Sequence, residues 1–442
     1  MTRDLARMAA TAHDLIVVGG GLHGTCIAWD ATLRGLRVAL IERDTLGAAT
    51  SRNSLRIVHG GLRYLARGDL RRMRESARER TTLLRIAPSL VEPLPVLVPT
   101  TGHGLHGRSA MRAALHLTDL LSPDRNSGLD PAHVLPSSRL LGISECRRLF
   151  PAFPAMGASG GALWHDARLR DPEALARALA SSAERLGAQV AEHCAMDRVL
   201  GAEGVVIGVA ATDRLTGSPV EIRGRAVVLA AGPWTAEIAG EEPTRYPNAF
   251  ALNIEVAGRL ADVAVGVRTR TSVEDDPVVG GRRFVFLHPQ ERTTLLGTWY
   301  ALPGASDVAE LVTRGTAALL AEWRDTCPAL PLAPASVIGV QWGWLPLKQG
   351  REVGRPTALA DRPRVVDHGR QGGLRGMFSV EGVKFTTMRR LAEWVADVVV
   401  DALGGAPAVC RTAHTRVDEG DEGIGLAKPL IKDSGSAPEG LA

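Results

Sequence analysis

DLIVVGGGLHG at residues 14–24, followed by LRVALI at 36–41 and Glu42, is the stretch whose reading decides the fold. Asp14-Leu15-Ile16-Val17-Val18 is a largely apolar run of the kind a parallel strand needs when helices cover both of its faces. Gly19, Gly21 and Gly24 supply G-x-G-x-x-G: a tight turn, close approach of backbone to a pyrophosphate, and close packing of helix on strand. The helix expected over 22–34 aims its free N–H groups and positive end at those phosphates, and Gly35 stops it. The second apolar strand delivers Glu42, whose carboxylate can accept both ribose hydroxyls and repels a 2′-phosphate. A lone glycine motif is only a glycine loop; with strand, helix, strand and acid in register it predicts a dinucleotide site.

Composition narrows the class. The chain has 442 residues, enough for two structural units, with 45% hydrophobic and 23% charged residues as in globular proteins. A net charge of +4 rests on arginine, since Lys348, Lys384, Lys428 and Lys432 are the only lysines. The arginines are scattered, which argues against nucleic-acid binding. One cluster at 67–80, interleaved with Glu75 and Glu79, reads as a solvated helix face; a membrane-surface or anion-attracting patch is the alternative. Cys26, Cys146, Cys194, Cys327 and Cys410 are far apart and form no C-x-x-C, which argues against disulfides and thiolate metal sites and favours the cytoplasm. No apolar run reaches a membrane span, and residues 1–13 lack the core of a secretion signal and read as a frayed extension.

Alternating helix and strand patterns predict an α/β fold. A helix is expected over 66–87, a Pro-rich strand over 91–100, a helical piece over 111–121, and a helix opened by Asp171 as N-cap and Pro172 that runs to 186. Short strands at 189–190, 199–200, 205–211 and 220–222 follow, and then a buried parallel-type strand at 225–231. A strand returning so late implies interleaved domains. The boundaries expected are 14–90, 160–245 and 346–404 for a Rossmann-like nucleotide domain, and 91–159 and 246–345 for a β-rich substrate domain of mixed sheet plus helices. Residues 405–442 read as a loose tail.

The chain resembles the FAD-dependent glycerol-3-phosphate dehydrogenases, within the D-amino-acid-oxidase-like flavoproteins. DLIVVGGGLHG at 14–24, ATSRNSLRIVHGGLRYL at 49–65, AAGPW at 230–234, LLGTWY at 295–300 and SVEGVKFTT at 379–387 carry the resemblance. It implies that the cofactor is FAD, held by Gly19, Gly21, Gly24, Glu42, Arg43, Thr50, Ser51 and Gly232, with Gly382, Lys384 and Thr386 near the isoalloxazine. A helix N-terminus and the Lys384 ammonium would there stabilise the negative charge of reduced flavin. His59, Arg63, Tyr64, Lys384, Thr387 and Trp344 are the implied catalytic and substrate-facing residues. A guanidinium suits a phosphate or carboxylate, and a phenol suits a hydroxyl.

On the substrate side the chain departs from the family pattern. The family's G-V-R-P-L string corresponds to QWGWLPL at 341–347, where Trp344 is taken as the replacement for the arginine. FALNIEV at 250–256 replaces a K-G-x-H strand, and Thr298-Trp299-Tyr300 replaces T-T-D. Indole offers an apolar wall and one N–H, so Trp299, Trp342 and Trp344 imply a remodelled, more apolar substrate pocket; core aromatics are the alternative. The match ends near residue 404, where a helical C-terminal domain begins in fuller-length relatives.

The expectation is FAD-dependent oxidation of a secondary alcohol to a ketone, with His59 or Lys384 as base. Glycerol 3-phosphate is the default substrate, and a related polyol, sugar or cyclitol derivative is favoured by the altered residues. The electron acceptor is read as a quinone or oxygen, with peripheral membrane contact and a homodimer as open alternatives. An amine or amino-acid oxidase with Arg63 on the carboxylate, or a flavin-binding protein without catalysis, are the competing readings.

Overall fold

The computed structural model describes residues 3–418 apart from 66–67, 103, 105, 154–157, 241–247, 271–281, 303–305, 349–357 and 406–407. The first strand, Ala12–Val18, alternates its side chains between two cores. Leu15 and Val17 face the helices Leu22–Leu33, Pro172–Arg185 and Met388–Ala402, while Ile16 and Val18 face the opposite layer. Burial on both faces explains the unbroken apolar run. The order in this sheet is Arg364–Asp367, Met377–Glu381, Pro219–Leu229, Ala12–Val18, Val38–Ile41, Gln189–Ala191, with Cys194–Ala202 and Val205–Asp213 as an attached antiparallel pair. From Met377–Glu381 to Gln189–Ala191 every pairing is parallel.

Pro219–Leu229 is one strand where two were expected. Residues 219–223 pair antiparallel with Val205–Asp213, and residues 223–229 pair parallel with Ala12–Val18. The helix Pro172–Arg185 starts as read: the Asp171 carboxylate accepts from the N–H groups of Glu173 and Ala174, and Pro172 takes the first position.

The second sheet runs Val337–Pro346, Asn248–Ala257, Thr293–Ala301, Phe284–Pro289, Ala264–Arg268, Val91–Thr101, Ala158–Leu169, Ile57–Val58, with Arg139–Leu141 on the side. Its far face is closed by the helix Val308–Thr326, which presents Leu311, Leu319 and Trp323 to Phe250, Leu252 and Ile254.

Three expectations change here. Strands Ile57–Val58 and Ala158–Leu169 belong to the second sheet, not the nucleotide unit, because the Pro-rich strand Val91–Thr101 pairs antiparallel with Ala158–Leu169 along its length. The N-terminal segment is not frayed: Leu5–Ala10 is a helix capped by Asp4, and Met8 is fully buried in the core under the first sheet. Residues 408–418 are not a loose tail either. Arg411 donates to the Leu33 carbonyl, Arg85 to the Ala413 carbonyl, and Val417 N–H to the Ile86 carbonyl. The rest of that tail, 419–442, lies outside the described residues. No helix among the described residues is long and apolar enough to cross a membrane, and all five cysteines are unpaired.

Candidate active site and cofactor cleft

The glycine loop leaves no room for side chains. A Cβ on Gly24 would stand 1.9 Å from the Gly19 carbonyl oxygen, and one on Gly19, whose φ is +109°, would stand 2.6 Å from the Ala230 oxygen. The helix Leu22–Leu33 therefore begins directly against the strand ends, with its first-turn N–H groups pointing out of the loop. Ser51 Oγ accepts from Leu22 N–H at 3.1 Å and stands 3.0 Å from the Cβ position of Gly21. The Glu42 carboxylate accepts from Gly20 N–H at 2.6 Å and from Asp44 N–H at 2.9 Å; burial nevertheless pushes its pKa up. Arg43 lies 4.0 Å over the Trp234 ring, which ties the end of the second strand to the short helix Gly232–Trp234.

From across the cleft the segment before the last helix meets the first. Gly382 packs against the His23 ring, with a Cβ position 2.3 Å from its Nε2. His23 is part-buried, and desolvation of its ring pushes its pKa down to about 4, so it is a neutral imidazole. Its Nε2 has no hydrogen-bond partner on the protein, and Gln341 Oε1 is likewise unpartnered. Thr386 is buried, and Thr387 stands at the N-cap of Met388–Ala402 without a side-chain capping bond. The close-packed glycine cradle, the free N–H groups at a helix start, a ribose-reaching acid and an orphaned imidazole nitrogen fit a dinucleotide with a charged pyrophosphate.

A cationic group flanks Tyr64. Lys384 Nζ donates to Tyr64 Oη at 3.1 Å and to Ser76 Oγ at 2.8 Å, and the Arg63 guanidinium lies 5.2 Å from the ring centroid. Burial works to raise the phenol pKa, but Lys384 and Arg63 outweigh it and bring it below its ordinary value. Arg63 is exposed and has no carboxylate partner among the described residues. Lys384, Tyr64 and Arg63 are thus brought together.

His59 sits elsewhere in the hydrogen-bonding pattern. Its Nδ1 stands 3.4 Å from Asp166 Oδ2, and its ring meets the edge of Phe286 at 6.2 Å. Asp166 also accepts from Gly60 N–H at 2.6 Å and from Arg80 Nη1 at 3.3 Å. Sequence reasoning missed both Asp166 and Arg80. The arginine cluster at 67–80 had been read as a solvated face, yet on the helix Leu70–Ile86 Arg80 is buried against Asp166 and Glu79 is buried against Arg389. A charge in the middle of an otherwise amphipathic stretch was the available signal.

Trp344 requires a correction. Side chains alternate along a strand, so 342 and 344 share one face of Val337–Pro346 and 341, 343 and 345 the other. Trp342 and Trp344 pack on Phe250 with ring centroids 5.7 and 5.4 Å away, on the face toward the helix Val308–Thr326. Trp299 joins them 6.4 Å from Phe250, where the absence of a side chain on Gly315 admits its ring. Trp299 is a buried core aromatic, and Trp342 and Trp344 are part-buried rings packed against that same core, on the face away from Thr50. The opposite face is the one beside the cofactor segment: a Cβ on Gly343 would meet Thr50 at 3.4 Å. Set against G-V-R-P-L, Gly343-Trp344-Leu345-Pro346-Leu347 puts the arginine's place at Leu345, two residues from Gly343 and on that same face.

Comparison with known proteins agrees with this cleft. The family model described as FAD dependent oxidoreductase matches residues 14–398. The chain belongs to that family. It is 34% identical over 417 residues to glycerol-3-phosphate dehydrogenase 1 of Mycobacterium bovis, covering 93% of this chain and 77% of the relative. It is 29% identical to the glycerol-3-phosphate dehydrogenase of Synechocystis sp., covering 93% of this chain and 74% of that one. Among solved structures, the glycerol-3-phosphate dehydrogenase of Bacillus halodurans complexed with FAD superimposes with a TM-score of 0.69 at 23% identity, covering 93% of this chain and 69% of that chain. The protein is thus an FAD-dependent oxidoreductase of glycerol-3-phosphate dehydrogenase type.

Proposed function

We propose that the enzyme oxidises a secondary alcohol to a ketone. The observation that carries this reading is the pair of cations, Arg63 and Lys384, meeting at Tyr64 on the segment that also bears His59, across from the glycine cradle. FAD, when bound, would supply the two-electron acceptor for the substrate hydride. Gly19, Gly21, Gly24, Glu42 and Ser51 would hold the nucleotide half, with Arg43, Thr50 and Gly232 beside it and Gly382 and Thr386 toward the flavin. Arg63 binds an anionic or hydroxylated group of the substrate, and Tyr64 and Thr387 orient its hydroxyl. Of the two bases expected, His59 fits better. Lys384 is held as a donor to Tyr64 and Ser76, whereas His59 has a carboxylate behind one nitrogen and its other nitrogen for the substrate proton.

The substrate proposed is glycerol 3-phosphate or a related polyol, sugar or cyclitol derivative. The exposed guanidinium of Arg63 supports an anionic group; Leu345, in the family arginine's place, favours the larger derivatives. The electrons pass on to a quinone or oxygen, in a cytoplasmic enzyme that acts free or against a membrane surface. Anaerobic mixing of the FAD-loaded enzyme with glycerol 3-phosphate and a panel of polyols, inositols and amino acids tests the reading. Bleaching by an alcohol supports it; bleaching by amino acids alone, or by dithionite alone, removes it.

A further inference from the structure

We infer that Asp166, clamped by Arg80, is the positioning residue that fixes His59 with its hydrogen on Nδ1, so that Nε2 is the atom that receives the substrate proton. This rests on the reading of His59 as base. The first support is geometric. Asp166 comes from the strand Ala158–Leu169, yet its carboxylate reaches the residue pair His59-Gly60, bonding Gly60 N–H at 2.6 Å while Oδ2 faces His59 Nδ1 at 3.4 Å. One carboxylate therefore holds both the backbone beside the imidazole and the ring itself. The Phe286 edge at 6.2 Å bounds the ring on another side.

The second support is the chemistry of the donor set. An ionised carboxylate only accepts, so the nitrogen facing it must carry hydrogen; a neutral imidazole has one N–H, and its other nitrogen keeps the lone pair. Burial pushes the Asp166 pKa up, but His59, Arg80 and the Gly60 N–H outweigh it and hold it below the usual carboxylate range. Arg80 in turn is fixed by a second bond, 2.7 Å from Nη1 to the His165 carbonyl oxygen. When Nε2 takes the proton, the imidazolium faces an anion already in place, as a second-sphere carboxylate does for a metal-bound histidine.

Few other titratable groups act on His59. His288, from Phe284–Pro289, lies close enough to sense its charge, but burial pushes the His288 pKa down to about 3 and keeps it neutral. Arg56 and Arg168 act on that same histidine, and Arg63 follows His59 on the next turn of chain. Asp166 is the only carboxylate bonded to His59 among the described residues.

The test is histidine NMR on the FAD-loaded enzyme carrying ring-labelled histidine. Among the twelve histidines, His59 is assigned by its loss in His59→Asn. In the native enzyme its nitrogen shifts should report Nδ1–H, and Asp166→Asn should remove that tautomer preference. An unchanged tautomer overturns the inference and leaves Asp166 a loop clamp. Should Asp166→Asn fail to fold because Arg80 is stranded, Asp166→Asn with Arg80→Gln removes both charges and is read in the same way. If His59→Asn still lets an alcohol bleach the flavin, the base reading falls, while the NMR result on Asp166 stands by itself.

Discussion

The far face of the second sheet and the seam between the two sheets are built on opposite principles. On the far face Phe250, Trp299, Trp342 and Trp344 pack ring on ring beneath the helix Val308–Thr326, and volume decides stability. At the seam the contacts are Glu79 with Arg389, Asp166 with Arg80 and His59, and two neutral histidines, His23 packed against Gly382 and the buried His288 bonded to the Leu55 carbonyl at 2.7 Å. There charge and protonation decide. The difference teaches that the unusual tryptophans carry the scaffold, while the less conspicuous charged residues of the helix Leu70–Ile86 organise the cleft.

The seam should break first when a charge is stranded. Glu79→Gln removes the bidentate partner of buried Arg389, Nη2 to Oε1 2.7 Å and Nε to Oε2 2.9 Å, leaving Glu393 at 2.9 Å as its carboxylate, and should cost about 2–3 kcal/mol in denaturant unfolding. Adding Arg389→Met should recover most of that loss. A cost below about 1 kcal/mol would mean that the pair contributes only at surface level.

Acid should act on the seam next. Both histidines have folded pKa values depressed from 6.5, to about 4 for His23 and about 3 for His288. Between pH 6.5 and those values the unfolded chain binds the extra proton, so stability is full above 6.5 and falls as the pH drops. From pH 6.5 to 5 each should cost about 2 kcal/mol. Melting temperature measured across that range should flatten in His23→Asn and in His288→Asn; an unchanged slope in both variants argues that other groups carry the acid sensitivity.

On the far face, Trp344→Leu should lower stability by about 1–2 kcal/mol through lost ring packing, yet leave KM for whichever alcohol bleaches the flavin unchanged. A severalfold change in KM would return Trp344 to the substrate pocket. The smallest effect belongs to the other face of that strand. Gly343→Ala meets Thr50 only at ordinary contact distance, 3.4 Å, so stability should stay within about 0.5 kcal/mol while the visible spectrum of bound flavin shifts. A Gly343→Ala enzyme with native flavin spectrum would place that face away from the cofactor.

How far the site was legible follows from the range of the interactions. The glycine cradle, Glu42 at its strand end and Asp171 at its own helix start were readable because turn, cap and strand-end chemistry is local. Arg63, Tyr64 and Lys384 were readable only through strings shared with a family; their meeting is a contact across 320 residues. Asp166 was invisible: nothing near it in the chain announces that its carboxylate would face Gly60, 106 residues away. Trp344 misled because residue type was read without strand phase, and one position along a strand exchanges the core for the cleft.

The sequence by itself determined the α/β class and the nucleotide-binding start, because periodicity and glycine spacing act over a few neighbouring residues, and it showed the flavin-dependent family only through strings that resemble that family's. It did not determine which side of the second sheet its aromatics cover, nor which carboxylate stands behind His59. Those depended on the pairing of Val337–Pro346 with Asn248–Ala257 and of Val91–Thr101 with Ala158–Leu169. Register between strands distant in the chain is set by the packing of whole faces, and so it is decided only when the tertiary structure forms.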